Sequence, residues 1–146
     1  MGLNKCWQGI SGVCREELRR GKEGNNRAVL VAISIPIFTS QLEKSREATD
    51  AANLRAAYAE ASAAVLSDAD GNGGDYYVKV DPVQTTAGFA HMDNTKIGTV
   101  ELKTVSDMAK GTPEYVLVKA DGTVTISSTQ PTGAKEVDAV TGAVIK

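Results

Sequence analysis

Asp68, Asp70 and Asn72 stand at alternate positions, and Gly73 follows where a calcium loop turns sharply. Hard oxygen donors in that pattern can converge on one divalent cation. The place of the closing bidentate carboxylate is taken by Lys79, which cannot coordinate. Asp75 is the nearest substitute and would need a different geometry. The same residues read equally as a helix stop, with Gly and Asn in left-handed backbone. Asp68, Asp70, Asn72 and Asp75 therefore form a candidate calcium loop only, and no metal or cofactor is assigned.

The other reactive side chains lack partners. His91 is the only histidine and lies beside Asp93, too little for a zinc site or a catalytic triad. Ser127 and Ser128 have no base at a recognisable spacing. Gly71, Gly73 and Gly74 come after a helical pattern rather than before one, so they make no phosphate loop. Cys6 and Cys14 can pair with each other but cannot staple the rest of the chain. An enzyme is not expected. A net charge of −2, and aromatics that do not interleave with basic residues, give no sign of nucleic-acid binding.

These residues hang on one long element. Residues 28–66 open with an apolar run to Phe38, turn amphipathic at Thr39 and become alanine-rich from Ala51. Val31, Ile35, Phe38, Leu42, Ser45, Thr49, Ala52, Ala56, Ala59, Ala63 and Leu66 form one helical row. Ala51, Leu54, Tyr58, Ala61 and Val65 form a second row beside it. Glu43 with Arg46, and Arg46 with Asp50, are spaced to support the helix as surface pairs. Such a helix would be about 58 Å long, wider than a head of the remaining size, so its apolar start is expected to protrude. Pro36 is expected to kink it. The apolar run is eleven residues, short of the ~20 that span a bilayer.

After residue 74 the period changes to two. Tyr76, Val78 and Val80 begin the first strand. Val100 with Leu102, Val116 with Val118, and Val124 with Ile126 mark three more, each with one apolar face. Asp121-Gly122 predicts a two-residue hairpin between the last two runs. Residues 82–96 read as a loop with a short helical turn, and residues 137–146 as a last strand or hairpin. The expected fold class is α+β: a long N-terminal α-helix whose second half packs on a small antiparallel β-sheet. The expected division is an atypical polar segment (1–27), a protruding apolar-to-amphipathic helix (28–50) and a globular head (51–146).

Residues 28–58, with the Ala/Val/Ile run, Ile35-Pro36-Ile37-Phe38 and the polar continuation Ser40-Gln41-Leu42-Glu43-Lys44-Ser45-Arg46-Glu47, resemble the N-terminal helix of type IV pilins and the related pseudopilins. Without cysteines in the head, the pattern is nearest to pilins of Gram-positive anaerobes. The family's leader and its Gly-Phe-Thr-Leu-hydrophobic-Glu start are not found in residues 1–27. The resemblance implies a structural subunit of a cell-surface filament, reached through the cytoplasmic membrane. Its partners would be further copies of itself and the pilus assembly machinery. Val31, Ile33, Ile35, Pro36, Ile37, Phe38 and Leu42 would be the helix-to-helix assembly interface. The alternatives are a pseudopilin of a secretion machine, or a soluble binding module that folds the helix into its own core.

Overall fold

The computed structural model describes residues 37–67 and 71–145. Cys6, Cys14, Val31, Ile33, Ile35, Pro36, Asp68 and Asp70 lie outside the described residues. Residues 37–67 form one helix, α1. Alanine at nearly every third position costs the helix no side-chain entropy.

The chain divides into two units, with the boundary between Gln41 and Leu42. In the second, α1 covers a five-stranded sheet in the order β5-β4-β1-β6-β7. The strands are β1 (Tyr76–Val80), β4 (Glu114–Val118), β5 (Val124–Ser127), β6 (Lys135–Val137) and β7 (Val144–Ile145). All pairings are antiparallel except β1 with β6, which is parallel over Tyr76↔Lys135 and Tyr77↔Glu136. A separate hairpin joins β2 (Lys96–Ile97) and β3 (Val100–Glu101). The general α+β architecture with a largely antiparallel sheet is therefore present.

The face of α1 that meets the sheet differs from the longer expected row. Ala51, Leu54, Ala57, Ala61 and Ala64 are buried against Tyr76, Val78, Val80, Val116, Val118 and Val137. Ser45, Thr49, Ala52, Ala56, Ala59, Ala63 and Leu66 are exposed, Leu66 at 87%. Alanine rows offer little hydrophobic contrast, so the larger Leu54 and Tyr58 fix the rotation. Alanine on the buried face lets the helix axis approach the strands closely.

Three strand details also depart from the sequence reading. The run around Val100 contributes only two residues, because Gly98-Thr99 closes a tight turn before it and Leu102–Thr104 coils into a 3-10 turn after it. That is where the helical turn lies, not within 82–96. The link from β4 to β5 has five residues, 119–123, closed into a three-residue turn: Gly122 N–H donates to Lys119 O (2.9 Å), and Lys119 N–H donates to Thr123 O (3.0 Å). Gly122, at φ 84°, supplies the left-handed residue that this longer connection needs. Finally, the outer face of β1 is covered at Tyr77, while Lys79 on the same face is exposed. Tyr77 is only 4% exposed on the side away from α1. There it meets Tyr115 edge-on at 5.8 Å and accepts a bond from Gln130 Nε2 (2.8 Å).

Candidate functional site: a loop clamped by helix carboxylates

The buried row of α1 does not end at Leu54. Counting back from it by four, three and four gives Asp50, Glu47 and Glu43, and all three turn toward the loop 83–91. Asp50 is fully buried. Its Oδ1 accepts the Val83 N–H (2.9 Å), and its Oδ2 accepts the Gln84 N–H (2.8 Å). Glu47, 1% exposed, accepts the His91 N–H (2.9 Å) and lies 2.8 Å from His91 Nδ1. A carboxylate only accepts, so Nδ1 is the donor in this contact. Glu43 accepts the N–H groups of Thr85 (2.7 Å) and Thr86 (2.6 Å) and the Thr85 hydroxyl (2.8 Å).

Glu43 carries the electrostatic signature of this arrangement. Burial pushes its carboxyl up, but the Thr86 N–H, the Thr85 hydroxyl, Arg46 and the Thr85 N–H together outweigh it and bring it down to about 2. The Arg46 pair is the one expected from spacing, at 3.2 Å. The expected Arg46–Asp50 pair is not formed, because Asp50 is committed to the loop.

Inside the loop, Gln84 does the fastening. It is fully buried, and its Nε2 donates to Met108 O (2.6 Å) and Gly88 O (3.0 Å). The Gly88 N–H donates to Met108 O (3.1 Å), and the Lys110 N–H to Gln84 O (2.8 Å). The loop is thus held on one side by helix carboxylates and on the other by the 108–110 backbone. Carboxylate acceptors, backbone N–H donors and the Gln84, Thr85 and His91 side chains together order the backbone of this loop.

The candidate residues named from sequence fall elsewhere. Asn72 is exposed, while the Asp75 carboxylate accepts the Ala120 N–H (3.0 Å) across the sheet end. No group of three or more metal-binding side chains occurs among the described residues. Ile37, Phe38 and Leu42 are exposed at 58%, 70% and 41%. No helix among the described residues is long and apolar enough to cross a membrane.

Glu43, Glu47 and Asp50 escaped the sequence reading as functional residues because a charge on a helix ordinarily marks its solvated side. Their signal was phase: they continue the row of Ala51, Leu54, Tyr58 and Ala61, not the row of Phe38 and Leu42. Set against family models, curated proteins and solved structures, the chain matches none of them.

Proposed function

We propose that this chain is a structural subunit of a type IV pilus-like surface filament, assembling through its N-terminal helix with further copies of itself. The observation that carries the reading is the contrast along α1. Ile37, Phe38 and Leu42 are apolar and uncovered, whereas the helix side chains buried at 43–50 are carboxylates satisfied by loop N–H groups. Large apolar side chains left uncovered at the start of a helix suit it for contact with another chain. The exposed alanine row from Ala52 to Ala63 lets a second backbone approach closely. Repetition of one such contact without closure gives a fibre.

The test is made in the cells that produce the protein. The wild-type chain is expected in filaments sheared from the surface and seen by electron microscopy. Phe38→Asp is expected to abolish those filaments while leaving the same far-UV circular dichroism and thermal midpoint. Normal filaments from the variant, or a wild-type chain recovered only as a monomer, would refute the proposal.

A further inference from the structure

The buried face of β4 begins with a carboxyl where its pattern calls for an aliphatic side chain. Glu114 is the register partner of Val80 and shares its strand face with Val116 and Val118. The residue is fully buried, and neither carboxyl oxygen meets a hydrogen-bond donor. None of the ion pairs formed among the described residues includes it.

The surroundings supply no cation. β1 presents Val78 and Val80 on this face, and β4 itself presents Val116 and Val118. The preceding segment brings Val105 and Met108 into the core. It also brings the charge of Asp107, whose carboxylate is held by the Ser128 hydroxyl. The charged members of the α1 row are all carboxylates, the buried Glu47 and Asp50 and the rim residue Glu43, each already engaged by loop N–H groups. A carboxylate without water, donor or counter-ion is far costlier to bury than the neutral acid. Burial first, and the Asp107 charge second, push the Glu114 carboxyl up to about 7.

We propose that Glu114 is a proton switch: as the neutral acid it keeps the 105–113 segment closed over the start of β4, and release of its proton to solvent loosens that segment. The consequence reaches further than β4. Met108 O, on the same segment, is the acceptor that Gln84 and Gly88 share. Loosening it removes one of the two fastenings of the 83–91 loop, leaving the helix carboxylates as the other. A chain carrying this device holds the loop more firmly in mildly acidic surroundings than above neutrality.

Amide hydrogen exchange on the full chain tests the switch, with rates corrected for the intrinsic effect of pH. The reporters are the N–H groups of Gly88, Lys110 and Thr112, which bond to Met108 O, Gln84 O and Ala109 O. With the carboxyl at about 7 when closed and 4.5 when open, linkage gives an about 25-fold loss of protection between pH ~5.5 and pH ~8. Glu114→Gln is expected to abolish that loss. Asp107→Asn changes an exposed residue, so it keeps the fold, and it is expected to shrink the loss by removing the like charge. Protection independent of pH in the wild type, or an undiminished loss in either variant, would overturn the proposal. Restoration of protection at the higher pH by millimolar calcium would also overturn it, because the carboxylate would then be held by a cation.

Discussion

Replacing Asp50 by alanine separates the clamp from ordinary helix energetics, because the two act in opposite directions. Alanine is the better helix former by about 0.5 kcal/mol, so local propensity alone calls for a more stable protein. The clamp calls for a large loss. Asp50 is fully buried and accepts the N–H groups of Val83 and Gln84. Gln84 lies in the interior, and its orphaned N–H would cost about 2–3 kcal/mol. Val83 is 44% exposed, so water replaces part of its bond and the cost there is about 1 kcal/mol. Relief of one buried charge offsets a fraction of this. The expected net loss is about 3 kcal/mol, a large share of the ~5–15 kcal/mol typical of whole domains. Urea unfolding of the full chain at pH 7, followed by far-UV circular dichroism, measures it as a lower midpoint at unchanged slope. Asp50→Asn, with one acceptor oxygen left, should lose about half as much. Ser45→Ala, on the exposed side of the same helix, should stay within about 0.5 kcal/mol. An Asp50→Ala protein less than about 1 kcal/mol weaker than wild type would refute the clamp as a fastening.

Two further variants probe the ends of the same assembly. Glu43 has a carboxyl lowered from 4.5 to about 2, so between those values the unfolded chain binds more protons than the folded one. The stability it adds is present in full above about 4.5 and disappears as the pH falls toward 2. The shift would amount to roughly 3 kcal/mol in a dry site; at this partly solvated rim about 1–2 kcal/mol is expected. Glu43→Gln should cost that much at pH 7 and nothing near pH 2, as urea midpoints across that range would show. Gly98 sits at φ 57°, where an added Cβ would lie 2.8 Å from Val124 Cγ2 and 3.5 Å from the Tyr58 ring. Gly98→Ala should cost about 1–3 kcal/mol by thermal melting, and adding Val124→Ala should return part of it by removing the obstructing methyl.

The parts legible in the sequence are those fixed by local period. The helix was readable from its three-and-four spacing, and β1, β4 and β5 from alternation. The rotation of the helix was not. Alanine rows on both sides gave two answers, and the choice falls to Leu54 and Tyr58, which only a partner sheet can reward. The hairpin expected over 137–146 is present as β6 with β7, but the start of β6 was not readable. Lys135-Glu136-Val137 has no alternation of its own; it is ordered from outside, by parallel pairing with Tyr76 and Tyr77 and by the Tyr77–Glu136 side-chain bond (3.1 Å). The clamp failed for a related reason. Glu43, Glu47 and Asp50 satisfy N–H groups more than thirty residues away, and no local rule announces a distant backbone donor. Pairing charges with the nearest opposite charge, as Arg46 with Asp50, is the wrong default wherever a carboxylate is in phase with a buried row.

The same distribution of side chains decides how a loss of assembly can be interpreted. Folding of the Leu42–Lys146 unit draws on the row from Glu47 to Ala64, whose members are buried. Phe38 is 70% exposed, so its aromatic ring returns little of the burial free energy that a core phenylalanine supplies. A charge placed there meets water, not the interior, and carries no large desolvation cost. If the proposed assembly holds, folding and self-association depend on different faces of one helix. A Phe38→Asp protein that keeps its melting temperature but loses polymer has lost a contact between chains. One that loses both has shown that Phe38 supports the fold, and the division of labour along α1 would then have to be abandoned.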